Sequence, residues 1–157
     1  MNRRLALVVA MFAIYTFLCG GERKASIPPS GKVVKVGIIA PLTGSDASQG
    51  KGGLSGVHTA LNLMPLLDNG DRVEIVIKDD QNDPEKSVNA LKEIVEIDGV
   101  AAVLTFSSSG PVLAMGRVAN EYQTPIIAAL ATHPDVAKTS NFVSQVCFDN
   151  VFQGNVA

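Results

Sequence analysis

From residue 33 onward, short apolar runs rich in Val, Ile and Ala alternate with polar loops and with stretches of helical periodicity. The runs are KVVKVGIIA, RVEIVIKD, VAAVLTF, TPIIAAL and NFVSQVCF, and they predict strands near residues 34–40, 73–79, 100–105, 125–129 and 142–147. Strands that are apolar along their whole length, each followed by a helix, must be buried on both faces. The order β-α-β-α-β-α-β-α-β therefore predicts the α/β class: a Rossmann-like parallel sheet with helices on both faces.

The intervening segments read as follows. After the glycine-bearing loop SDASQGKGG, Leu54, Val57, Leu61 and Met64 recur at three- and four-residue spacing and predict a buried helical face. Pro65 and the turn Asp68-Asn69-Gly70-Asp71 end that helix. In DPEKSVNALKEIVEIDG, Asp83 is a cap and Pro84 fits the first helical position. Glu85 suits the positive end, Val88, Leu91 and Val95 line one face, and Gly99 stops the helix. SSSGPVLAMGRVANEYQ predicts a loop and a helix starting near Gly110-Pro111, and THPDVAKTS a loop with a short helical turn.

The first 32 residues stand apart. MNRRLALVVAMFAIYTFL joins Arg3 and Arg4 to an apolar run over residues 5–18, the pattern of an export signal. A membrane span needs about 20 apolar residues, and Gly20, Gly21, Glu22, Arg23 and Lys24 end this run early. The flanks of the arginine pair match a twin-arginine signal poorly, and the apolar run suits the general secretory route. Cys19 resembles the lipid-accepting cysteine of a bacterial lipoprotein signal, which predicts a membrane anchor. Leu18 occupies a position where such signals favour a small residue, so an ordinary cleaved signal is the alternative. Residues 19–32 have charge, Ser, Pro and Gly without apolar periodicity and read as a lipid-proximal linker. Residues 33–157 are then one lobe.

At 46% hydrophobic and 18% charged, the chain has the composition of a globular domain. Residues 1–18 carry two of the thirteen basic residues and none of the fifteen acidic ones, so the remainder has a net charge of −4. That balance does not point to nucleic acid. Cys19 and Cys147, the latter in a predicted strand, are too few for a zinc site.

In a parallel α/β sheet, ligands sit beyond the carboxyl ends of the strands. Strand three delivers Ser107, Ser108 and Ser109 to that edge, strand four delivers Leu130, Ala131 and Thr132, and strand one delivers the 45–53 loop. A helix starting after the serines presents unpaired N–H groups and a positive dipole end, a setting that suits an anion such as a carboxylate. A single serine merely capping its own helix is the plainer alternative.

VKVGIIAPLTG, then DDQNDP before a helix, then SSSG, then PIIAALATHPD resembles, over residues 33–157, the leucine/isoleucine/valine-type (type I) periplasmic solute-binding proteins of ABC importers. The resemblance implies two lobes that close on an amino acid or similar carboxylate and a membrane permease that receives it. The protein would be exported to the periplasm or the outer face of the membrane and would need no cofactor. By position it implies that the Ser107 hydroxyl and N–H, with Ser108 beside them, meet the ligand carboxylate. Thr132 would add its N–H and hydroxyl, Leu130 would turn its carbonyl to the ammonium beside Ala131, and Thr105 and Phe106 would line the wall. Gln49 stands where branched-chain binders tend to carry an aromatic residue. The chain stops at FQGNVA, with Asp149 and Gln153 in register with the family's passage to the second lobe, so the resemblance implies a fragment lacking that lobe.

The remaining polar residues read as structural. Asp79, Asp80 and Asp83 match no calcium loop. His58 and His133 show no carboxylate partner in sequence, and Gly50, Gly52, Gly53 and Gly56 form no phosphate-loop motif and are expected to serve close packing. A serine hydrolase would set its nucleophile in G-x-S-x-G, which TFSSSGP is not. The ligand-binding domain of a sensor would share every feature of such a lobe.

Overall fold

The computed structural model describes residues 31–156. The expected signal over residues 1–18, Cys19 and the linker up to residue 30 lie outside the described residues. Strand β1 (Val33–Ala40) leads to α1 (Ala47–Leu63), β2 (Arg72–Asp79), α2 (Pro84–Glu96) and β3 (Ala102–Thr105). There follow α3 (Ser109–Tyr122), β4 (Ile126–Ala128), a 3-10 turn (Val136–Lys138), β5 (Val143–Gln145) and α4 (Asn150–Val156). All strand pairs are parallel, in the order β2-β1-β3-β4-β5. Thr105 at the end of β3 registers with Ile39 on one side and Ala128 on the other, so three strand ends finish level.

The last three strands are shorter than expected. Pro125 precedes β4 and has no N–H to extend its ladder. β5 stops at Gln145, and Cys147 is not in a strand: its thiol turns to the Ala131 carbonyl at 3.0 Å.

Chain direction across the sheet reverses between β1 and β3, so right-handed crossovers place α1 on one face and α2 and α3 on the other. The main core lies on the second face, where Ile39, Val103, Ile126 and Val143 of the sheet meet Leu91 and Ile94 of α2 and Val112 and Met115 of α3. The N-terminus of α2 forms as expected, with Asp83 accepting from the Lys86 N–H at 2.9 Å and Pro84 in the first turn. Its buried ridge is rotated from the expected one: Ser87, Ala90, Leu91 and Ile94 are buried, while Val88 and Val95 are half-buried.

α1 departs further from expectation. It begins at Ala47, so Gln49 and the glycines that read as a loop belong to its first turns. Leu54, Val57 and Leu61 are only half-buried, Met64 is 70% exposed, and Gly50 is the one buried residue of the helix. Contact with the sheet side is made through backbone. A Cβ on Gly50 would lie 2.0 Å from the Pro41 carbonyl oxygen, and one on Gly53 would lie 2.3 Å from the Phe106 ring. Gly52 and Gly56 have no such neighbour, so close packing accounts for two of the four glycines.

These contacts make a paired prediction. Gly50→Ala should lower stability by about 1–3 kcal/mol through overpacking, whereas Gly56→Ala should raise it by up to about 1 kcal/mol through helix propensity. Urea denaturation of both variants checks the contrast.

Candidate functional site

A parallel sheet whose strand order reverses leaves a crevice beyond the carboxyl ends at the point of reversal. Here that point lies between β1 and β3, flanked by the 41–46 loop and the 106–108 segment. The 129–135 loop after β4 lies next along the same edge, so Ser107 and Thr132 share the sheet edge as expected.

Within TFSSSGP the three serines have three different fates. Ser107 is fully buried: its hydroxyl donates to Asp80 Oδ2 at 2.5 Å and its N–H donates to Thr105 Oγ1 at 3.2 Å. Thr105 is equally buried, and its hydroxyl donates to Ser107 Oγ at 3.1 Å. Both residues point into the packed end of the strand, directly beneath the crevice. Ser108 is exposed, and its N–H donates to Asn82 Oδ1 at 2.8 Å. Ser109 opens α3, and its Oγ accepts from the N–H groups of Thr132 at 3.2 Å and His133 at 3.1 Å, tying the β4 loop to the helix start.

Neither plain capping nor a surplus of loop hydroxyls describes this arrangement. Ser108 precedes the helix without a side-chain capping bond. Among the described residues, the N–H groups of Ser109 and Gly110 have no hydrogen-bond partner, and Pro111, next in line, has no N–H to offer. Two donors and the positive end of a 14-residue helix thus remain open at the crevice.

The other expected residues divide in the same way. The Thr132 N–H donates to Ser109 Oγ, and its side chain stays half-exposed. Ala131 is buried, its carbonyl accepting from Gln145 Nε2 and Cys147 Sγ. Leu130 is 41% exposed, and its carbonyl has no partner among the described residues. Phe106 is half-buried against Gly53, and Gln49 is exposed in the first turn of α1. His133 does have a carboxylate near it, Asp135 at 3.9 Å, whereas His58 is simply exposed. No group of three or more His, Cys, Asp or Glu among the described residues could hold a metal ion.

The segment from the last residue of β2 onward, whose aspartates read in sequence as structural, organises the site. Asp79 accepts from the N–H groups of Leu42 and Thr43 at 2.8 and 3.3 Å and from the Thr43 hydroxyl at 2.5 Å. Asp80, fully buried, accepts from Ser87 Oγ at 2.6 Å, Ser107 Oγ at 2.5 Å and the Asn82 N–H at 3.0 Å. Asn82 reaches both Ser108 and Asp46. The available signal was position: DDQND leaves β2 at the same carboxyl edge as the serines, and carboxylates there meet N–H groups from neighbouring loops.

Partial desolvation pushes the Asp79 carboxyl upward. Bonds from the Thr43 hydroxyl and from the N–H groups of Leu42, Gln81 and Thr43 outweigh that and hold its pKa below the usual value. A carboxyl depressed by folding contributes stability above its unfolded pKa, near 3.9, and loses it as pH falls through the lower folded value. Asp79→Asn should therefore melt below wild type at neutral pH, and the difference should close as the pH falls below about 4. Melting curves across that range check it.

The fold and this edge define an α/β unit with a crevice at the carboxyl ends of its parallel strands. Residues 33–155 match the family model of the periplasmic binding proteins, and the chain belongs to that family. It is 30% identical over 107 residues to the Leu/Ile/Val-binding protein BraC3 of Rhizobium johnstonii, covering 67% of this chain and 29% of that protein. Among solved structures, the leucine-binding protein LivK of Thermotoga maritima superposes with a TM-score of 0.74 at 30% identity, covering 78% of this chain and 35% of the other. A solute-binding protein of an ABC transporter from Rhodopseudomonas palustris, in complex with 3,4-dihydroxybenzoic acid, gives 0.71 at 25% identity, covering 74% and 32%. The chain thus spans about a third or less of the length of these relatives.

Proposed function

We propose that the chain is the first lobe of an exported solute-binding protein of an ABC importer, one that holds an amino acid or related small carboxylate between two lobes and passes it to a membrane permease. The observation that carries the reading is the open pair of N–H groups, Ser109 and Gly110, at the start of α3. An anion there gains two directed bonds and the helix dipole. Ser108 and the Thr132 hydroxyl supply further donors, the Leu130 carbonyl is free to accept from an ammonium, and Phe106 and Gln49 flank the ligand. Ser107, Thr105 and Ala131 support these from below. The family supports an extracytoplasmic location, and Cys19 would supply a lipid anchor beside the membrane.

A second reading, an aromatic acid as ligand, is favoured by the likeness to a protein that binds 3,4-dihydroxybenzoic acid. It also fits the crevice carboxylates, since Asp79, Asp80 and Asp46 are all hydrogen-bonded within the lobe. Calorimetric titration of the full-length protein with amino acids, amino-acid amides and hydroxybenzoates separates these readings. Acids should bind and amides should not; equal binding of both would remove the carboxylate site. Substrate uptake that depends on the permease distinguishes delivery from sensing.

A further inference from the structure

We propose that Asn82 is the positioning residue of the crevice, a single amide that sets the separation of the loops on its two sides and decides which N–H groups remain for a ligand. The proposal rests on the carboxylate reading above only for its binding consequence. Asn82 is half-buried and has φ 59°, in the left-handed region that Asn tolerates better than most residues. Its own N–H is held by the buried Asp80 carboxylate at 3.0 Å, which fixes the backbone. From that base Nδ2 donates to Asp46 Oδ2 at 2.5 Å, on the loop after β1. Oδ1 accepts from the Ser108 N–H at 2.8 Å, on the segment after β3. The partners lie 36 and 26 residues away in the chain.

The chemistry of the partners sets the orientation of the amide. The Asp46 carboxyl oxygen accepts and the Ser108 backbone N–H donates, so the bridging group must carry a donor and an acceptor on one short, planar head. Asp would offer two acceptors, Leu neither kind, and Gln a longer stem. Because Asn82 takes the Ser108 N–H, the donors left open at the helix start are those of Ser109 and Gly110. A ligand carboxylate is thereby directed to the helix axis and away from the segment preceding it.

The charged groups around Asn82 are Asp46 on the opposite loop, Asp79, Asp80 and Asp83 on its own segment, and Lys86 of α2, whose Nζ bonds Gln81. An aspartate in place of Asn82 would face the Asp46 carboxylate at bonding distance. The bridge would then survive only when the pair shares a proton, since two like charges that close raise one pKa.

Two variants in the full chain test this. Asn82→Gly keeps the left-handed backbone accessible while deleting both bonds. It should lower the protection factor of the Ser108 amide, read by NMR, at least about tenfold, with a similar loss of acid affinity. Asn82→Asp should make Ser108 protection and acid affinity fall, relative to wild type measured at the same pH, as pH rises from about 5 to 8. Unchanged Ser108 protection in Asn82→Gly overturns the proposal whatever the protein binds. So does acid binding as tight in Asn82→Gly as in wild type. If Asn82→Gly does not fold, a flat pH profile of Asn82→Asp relative to wild type overturns it. A wild type that binds no acid, with Ser108 protection still responding to both variants, leaves the clamp standing and removes the carboxylate reading.

Discussion

Asp80→Ala is expected to destabilise the lobe by about 3 kcal/mol or more, the largest effect of any single side-chain truncation at this edge. The carboxylate is fully buried and accepts from two hydroxyls and one N–H, all three within 3.0 Å. Hydrogen bonds to a charged group contribute roughly 1.5–3 kcal/mol each, and donors left unpaired in a dry site cost a comparable amount. Burying the carboxylate has its own desolvation cost, which its removal relieves, and this keeps the net loss below the sum of the three bonds. Asp80→Asn retains the shape and one acceptor oxygen, and the two hydroxyls are free to rotate toward it. It should fall between wild type and the alanine variant. Urea denaturation of the three proteins gives the order, and an alanine variant as stable as wild type would show that Asp80 does not hold Ser87 and Ser107.

Ser108→Asp should have the opposite profile, leaving stability intact while weakening acid binding roughly a hundredfold or more. Asp is a preferred residue just before a helix because its carboxylate accepts from the first free N–H groups and complements the dipole. At position 108 the Gly110 N–H is within the reach of such a cap, and Pro111 offers none. The new carboxylate would therefore occupy a donor assigned here to the ligand and would repel the ligand's own charge. Losing one charged hydrogen bond of 1.5–3 kcal/mol corresponds to roughly ten- to hundredfold weaker binding, and like-charge repulsion adds to it. Melting temperature and calorimetric titration, measured on the same preparation of full-length protein, separate the two effects. A variant that binds acids as wild type does would place the carboxylate elsewhere.

The alternation of apolar runs with helical stretches determined the parallel sheet, because burial on both faces leaves few other ways to arrange such strands. The local signals at Asp83 and Pro84 likewise determined where α2 begins, since a cap and an imino residue act within one turn. The same reasoning carried the three serines to the correct edge. It could not say which of them faces outward. That depends on how far the strand pleat continues past Thr105, and Ser107 still points inward to Asp80 while Ser108 does not. The expected buried face of α1 failed for a related reason: apolar spacing reports amphipathicity, but Gly50 and Gly53 bring the helix against Pro41 and Phe106 through backbone. The role of Asp79, Asp80 and Asn82 was hidden altogether. Their partners at Thr43, Asp46, Ser107 and Ser108 lie 26 to 36 residues away, a separation that no local periodicity spans and that only the packing of β2, β1 and β3 side by side closes.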